Sequence, residues 1–165
     1  MDALIRRATD GDLARITEIY NQAIAAGTCT GDLRPFRTEE RRAWLKEHTN
    51  KRTPAYVYEE NGDVSGYIYL SAYRPGREAL SGTAEISYYV DFICHGRGIG
   101  SALLSYMLKE AKEVGYETLL AVVLECNVGS MALLEKHGFS QWGVLPGVAK
   151  MNGKTYAHFY YGRSV

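Results

Sequence analysis

Cys94-His95-Gly96-Arg97-Gly98-Ile99-Gly100-Ser101 decides how this chain is read, because it joins a strand pattern ending at Val90 to a helix pattern that starts near Gly98. Three glycines at alternate positions remove the side chains that would keep an anion away from the backbone. What remains is a row of N–H groups at the positive end of a helix dipole, a natural seat for a pyrophosphate. A Rossmann turn needs G-x-G-x-x-G, and counting from Gly96 the third glycine position is Ser101. A P-loop needs Gly-Lys-Ser/Thr, which the stretch lacks.

Outward from this turn the pattern is α/β. Upstream, Leu4-Ile5-Arg6 reads as a short strand, and Thr9 or Asp10 caps a helix carrying Leu13, Ile16, Ile19, Tyr20 and Ala23 that ends near Gly27. A polar loop spans Thr28–Thr38, and a second helix is predicted from Glu39 to about Lys51, with Trp44 and Leu45 on one face. Ala55–Glu59 and Val64–Ala72 flank Asn61-Gly62, a strong hairpin signal, and Thr83–Val90 forms the next strand. Downstream, a helix over Gly98–Val114 stops at Gly115, and the apolar run Thr118–Leu124 reads as a strand buried on both faces. A helix over Ser130–His137 and strands over Trp142–Val148 and Thr155–Tyr161 complete the order β-α-α-β-β-β-α-β-α-β-β.

The composition narrows the function classes. A chain of 165 residues, 46% hydrophobic, is enough for one domain with a substantial core. Nineteen basic and nineteen acidic residues cancel, so no overall field draws nucleic acid or an anionic membrane, and a small-molecule partner is expected. The opening MDALIRRATDGDLARI lacks the pattern of a leader, and the chain reads as soluble and cytoplasmic. Cys29, Cys94 and Cys126 are scattered and read as reduced thiols rather than a disulfide or zinc set; His48, His137 and His158 are likewise too dispersed for a metal or a triad.

Two motifs together carry a resemblance. Tyr89 to Leu104, centred on His95-Gly96-Arg97-Gly98-Ile99-Gly100, resembles the acyl-CoA-binding segment of the GNAT superfamily of N-acetyltransferases, usually Arg/Gln-x-x-Gly-x-Gly/Ala, with His95 where Arg or Gln is usual. Asn127 to Phe139 resembles the family's Asn-x-x-Ser/Ala segment ending in Gly-Phe. Arg74-Pro75-Gly76-Arg77 and the strand Thr83-Ala84-Glu85-Ile86-Ser87-Tyr88-Tyr89-Val90 are similar to the phosphinothricin and methionine sulfoximine N-acetyltransferase branch, as are Ile19-Tyr20-Asn21 and Phe36–Glu40.

This resemblance implies a GNAT fold, a mixed and mostly antiparallel sheet of about seven strands flanked by about four helices, within a single domain over 1–165. It implies acetyl-CoA as cosubstrate with no metal, a homodimer, and acetylation of the primary amine of a small amino acid or analogue. Acetylation of a protein N-terminus, lysine or polyamine, and a silent acyl-CoA-binding module, remain the alternatives. The coenzyme contacts it implies are Tyr88, Tyr89, Val90, His95, Gly96, Arg97, Gly98, Ile99, Gly100, Ser101, Asn127 and Ser130, with Asn127 also readable as a helix N-cap.

The reaction itself needs a base, an oxyanion donor and a fate for the thiolate. Glu85 is the candidate base: a carboxylate in the middle of an apolar and aromatic strand is costly unless paired, hydrated or used, and the branch places its base here. By alternation Glu85, Ser87 and Tyr89 share one face. If the strand splays from its parallel neighbour, as the family's strands do, the backbone N–H of Tyr89 or Val90 becomes an oxyanion donor. Leu134 stands where many relatives carry a tyrosine, so no side chain is assigned to the thiolate. Arg74 and Arg77 suit a substrate carboxylate, as guanidinium pairs with that group bidentately, or are solvated loop charges.

Overall fold

The computed structural model describes residues 3–165; Met1 and Asp2, part of the opening stretch read for a leader, lie outside them. Its strands are β1 (Leu4–Arg7), β2 (Ala55–Glu60), β3 (Asp63–Ala72), β4 (Thr83–Val90), β5 (Thr118–Leu124), β6 (Ser140–Met151) and β7 (Lys154–Ser164). Its α-helices are α1 (Leu13–Ala26), α2 (Arg42–Glu47), α3 (Ile99–Val114) and α4 (Val128–Lys136). The strands form one sheet in the order β1-β2-β3-β4-β5-β7-β6, antiparallel throughout except where β4 meets β5. This is the GNAT architecture that the motifs imply.

Local chemistry explains most boundaries. Asn61 and Gly62 both adopt positive φ, 56° and 83°, the turn that lets β2 and β3 pair in a tight hairpin. α1 ends on Gly27 and α3 on Gly115, each left-handed. α2 is far shorter than the predicted helix over 39–51. It opens as a 3-10 turn, Thr38–Arg41, capped by Glu40 accepting from Arg37 N–H at 2.6 Å. It stops at Glu47 because side chains take over its last carbonyls: the His48 ring bonds Trp44 O at 2.7 Å and Asn50 donates to Glu47 O at 2.7 Å. Asn50 Oδ1 then accepts from Arg52 and Thr53 N–H, folding the chain into a turn where helix was expected.

The sheet separates two cores. On one face Ile68, Leu70, Ala84 and Ile86 pack against Leu103, Leu104, Met107 and Ala111 of α3 and Leu134 of α4. On the other, Val57, Val64 and Tyr67 pack against Ile16, Ile19, Tyr20 and Ile24 of α1. Residue alternation along β4 therefore sends Ala84 and Ile86 toward α3, and Glu85, Ser87 and Tyr89 toward the α1/α2 side, as the sequence pattern predicts. No helix among the described residues is long and apolar enough to cross a membrane.

Candidate active site

The site begins where two strands part. The parallel register of β4 and β5 runs Thr83 with Thr118, Ala84 with Leu119 and Glu85 with Leu120, and stops there. From Ile86 onward β4 keeps β3 as its partner while β5 follows β7, and a cleft of about 610 Å³ opens between them. Ile86–Val90 form one wall and Ala121–Val123 the other, with backbone that a strand-like ligand can pair with.

At the wide end sits the glycine turn. Gly96 and Gly98 adopt φ of 77° and 81°, a conformation that side-chain-bearing residues rarely take, and an added Cβ at either would meet no protein atom, so both point at open space. The Ala102 N–H donates to Gly98 O at 3.0 Å, leaving the preceding amides of α3 at its open N-terminal end. Gly100 is needed for packing instead: a Cβ there would stand 2.9 Å from Leu133 Cδ2. This donor set fits the pyrophosphate of acetyl-CoA, and the splayed cleft fits its extended arm.

Asp91 fixes the turn to the sheet. Its buried carboxylate accepts from Ile93 N–H at 3.1 Å and pairs with Arg15 of α1. Burial alone would raise its pKa, but Arg15 and the Ile93 N–H outweigh burial and hold it below the usual range.

The cleft gathers most of the coenzyme residues anticipated from sequence: Tyr88, Tyr89, Val90, His95, Gly96, Gly98, Ile99, Gly100, Ser101, Asn127 and Ser130 line it. Arg97 does not. Its guanidinium turns to Glu60, 2.5 Å distant, with Nη1 3.7 Å from Cys94 Sγ, and does not line the cleft. The ring of His95 folds back so that Nε2 lies 3.0 Å from Val90 O, and Ser101 Oγ lies 2.7 Å from His137 Nε2. Asn127 caps α4, accepting from Ser130 N–H at 3.3 Å, while also lining the cleft. Tyr88 points to the α3/α4 side, where its hydroxyl meets Ser130 Oγ at 2.6 Å. Its pKa is pushed up to about 12 by burial, against the opposing Ser130 bond.

Glu85 lies at the apex of the splay but on the opposite face, partly exposed, beside Ser71 of β3. Burial alone raises its pKa. A carboxylate with raised pKa next to the point where a thioester would emerge is suited to take a proton from an amine. Arg74 and Arg77 sit in the β3–β4 connection, exposed, lining a groove separate from the cleft.

Sequence reasoning missed Arg41. This side chain is 5% exposed and stacks on Tyr20 and Trp44, with Cζ 4.3 and 4.4 Å from the two ring centroids. The signal was present: Arg41, Trp44, Leu45 and His48 recur at helical spacing, so an arginine occupies the inward face.

A splayed β4–β5 cleft with a glycine turn at the head of α3 defines an acetyl-CoA-dependent N-acetyltransferase, and the chain belongs to the GNAT acetyltransferase family, whose domain model matches residues 5–160. Among known proteins it is 41% identical over 162 residues to a Bacillus subtilis protein named as a candidate phosphinothricin acetyltransferase, covering 98% of each chain. It is 33% identical over 150 residues, 91% of this chain and 87% of the other, to the L-methionine sulfoximine/L-methionine sulfone acetyltransferase of Salmonella typhimurium. A GNAT superfamily phosphinothricin acetyltransferase from Sinorhizobium meliloti, solved in complex with acetyl-CoA, superposes with a TM-score of 0.93 at 31% identity, over 100% of this chain and 89% of that one.

Proposed function

We propose that this enzyme acetylates the α-amino group of a small amino acid or analogue of the phosphinothricin, methionine sulfoximine or methionine sulfone type. The observation that carries the reading is the position of Glu85, where the parallel pairing of β4 and β5 ends and on the face opposite the coenzyme turn. Acetyl-CoA enters along the cleft with its pyrophosphate on the amides of Gly96–Ser101 and its arm paired to β4. The acceptor approaches from the α1/α2 side. Glu85 takes the amine proton, directly or through water, and the neutral amine attacks the thioester carbonyl. The N–H of Tyr89 or Val90 receives the oxyanion; the C=O then re-forms as the C–S bond breaks with its electron pair leaving on sulfur, and the attacking nitrogen gives up its second proton to solvent or to the departing thiolate. A thiol near pKa 8.5 leaves without an assigned acid.

Arg74 and Arg77 hold the acceptor carboxylate: neither enters an ion pair among the described residues, and both line a groove with Thr83 at the start of β4. The chain works as one domain, in the cytoplasm, as a homodimer; the exposed Trp142, Val144, Leu145 and Val148 of β6 support a self-contact.

The test is an acceptor panel with acetyl-CoA: phosphinothricin, methionine sulfone, free amino acids, a lysine peptide, an N-terminal peptide and a polyamine. Selective turnover of the small amino acids supports the reading, whereas selective turnover of a peptide or polyamine overturns it.

A further inference from the structure

Cys29 and Cys126 stand far apart in sequence and close together in the fold, and acetyl transfer uses neither. Cys29 lines the cleft from the loop that follows α1, and Cys126 stands just past the end of β5, next to Asn127. The Cys126 thiol donates to the carbonyl of Thr28, 3.9 Å away. That carbonyl belongs to the peptide group joining Thr28 to Cys29, so covalent geometry puts the Cys29 Cα about 3 Å from its oxygen. The Cys126 sulfur is therefore within about 7 Å of the Cys29 Cα. The remaining approach falls to Cys29, whose sulfur now turns to Thr28 Oγ1 at 3.5 Å and whose loop carries no helix or strand.

The two thiols are also accessible. Both are partly exposed, whereas the third, Cys94, is buried. Burial raises the Cys126 thiol, and the charges of Cys29 and Glu125 add to it, so the two sulfurs sense one another and Cys126 rests as the less reactive thiol. A pair of this kind stays reduced in a reducing compartment and oxidises reversibly when that compartment turns oxidising, the usual role of a disulfide there.

The loop that carries Cys29 crosses a place that matters. Side chains fasten it: Tyr20 Oη meets Thr30 Oγ1 at 2.8 Å and donates to Asp32, and Asn21 donates to the Phe36 carbonyl at 2.8 Å and accepts from its N–H at 2.9 Å. Tyr20 in turn meets Tyr89 of β4 edge-on, with 5.0 Å between ring centroids. The loop therefore runs from the Tyr89 side of β4 to the end of β5, over the gap where those two strands have parted. It does so on the α1 side of the sheet, the side of Glu85 and Ser87. A covalent tie at Cys126 would fix its far end.

We propose that Cys29 and Cys126 form a reversible disulfide that latches the α1–α2 loop to the end of β5 and closes the acceptor side of the cleft. The oxidant is a low-molecular-weight disulfide. One cysteine thiolate attacks it, giving a mixed disulfide and releasing one small thiol; the other cysteine thiolate then attacks the modified cysteine sulfur, forming the Cys29–Cys126 bond and releasing the second small thiol. Two electrons pass from the cysteines to the small disulfide, and the two cysteine protons end on the released thiols. A reducing dithiol runs the exchange backwards. The effect on turnover rests on the acceptor side given under Proposed function; formation of the disulfide does not.

The experiment incubates the reduced chain with glutathione disulfide and reads peptide masses without reduction, beside acetyl transfer to its best acceptor. Wild type, Cys29→Ser and Cys126→Ser are each compared with their own reduced sample. Wild type is expected to yield a linked Cys29–Cys126 peptide and to lose turnover about fivefold or more, recovered with dithiothreitol. Neither serine variant yields that peptide, and each keeps more of its reduced rate than wild type does. Glutathione carried on the two cysteines separately, with no linked peptide, overturns the disulfide. A linked peptide with unchanged turnover overturns the closure, as does an equal loss in the serine variants, which traces the inhibition to bound glutathione. The linked peptide is read by mass with no acceptor present, so failure of the amino-acid reading shows separately, as turnover of a peptide or polyamine by the reduced enzyme.

Discussion

Tyr88 Oη lies 2.6 Å from Ser130 Oγ, so one hydrogen bond ties the wall of the cleft on β4 to the first turn of α4. Tyr88→Phe keeps the ring and cuts the tie. The variant is expected to lose about 1 kcal/mol of stability, which lowers Tm by about 3 °C for a chain of this size. Thermal melts with and without acetyl-CoA check this, and a weaker stabilisation by the coenzyme in the variant locates the bond at the bound arm.

Asp91 ties the turn that follows β4 to α1 through one buried carboxylate, its partner Arg15 coming from α1. Asp91→Ala leaves the Arg15 guanidinium with only its exposed partner Glu18 and the Val64 carbonyl, and the Ile93 N–H without its acceptor, a loss of about 1–3 kcal/mol. The folded pKa is lowered, so this stabilisation is present above the ordinary aspartate value near 3.9 and is lost as pH falls through the folded value. Urea unfolding therefore shows a wide gap between wild type and variant at pH 7 that narrows below about pH 4.

The glycine turn makes a sharper demand on the backbone. Gly98 holds φ of 81° and points at open space, so Gly98→Ala meets no steric clash from the protein but must bear a left-handed conformation at a cost of about 1–2 kcal/mol. The added methyl also stands where an anion would approach. Acetyl-CoA affinity, measured by calorimetry, is expected to fall at least tenfold while the melting temperature falls only modestly.

Most of the fold was legible because its signals are local. Asn61-Gly62 set the hairpin, Gly27 and Gly115 ended their helices, and β4, α3 and β5 fell where periodicity put them. α2 was misjudged because its end depends on His48 and Asn50 bonding back to carbonyls, which competes with helix at short range and leaves no mark on apolar periodicity. The coenzyme turn was legible because it is contiguous in sequence. Arg97 was not, since its direction is fixed by Glu60 on the edge of the β2–β3 hairpin. The approach of Cys29 to Cys126 draws on the loop after α1 and the end of β5, which only the tertiary fold brings together.

Burial at the apex raises the pKa of Glu85, so the folded protein binds that proton more tightly than the unfolded chain does. Ionised Glu85 therefore costs stability above its raised pKa and costs nothing below the ordinary glutamate range. Glu85→Gln is expected to melt at a higher temperature than wild type at pH 7, with the difference vanishing near pH 4. In the rate profile the same shift places the acid limb of kcat/KM above pH 4.3, the ordinary value for glutamate.

Thiol release from acetyl-CoA, followed for wild type and Glu85→Gln with the best small amino-acid acceptor, tests the mechanism most directly. Turnover is expected to fall by about two to four orders of magnitude in the variant, with acetyl-CoA affinity retained and the acid limb gone. Turnover that survives the substitution, with its acid limb in place, would remove Glu85 from the chemistry and contradict the account.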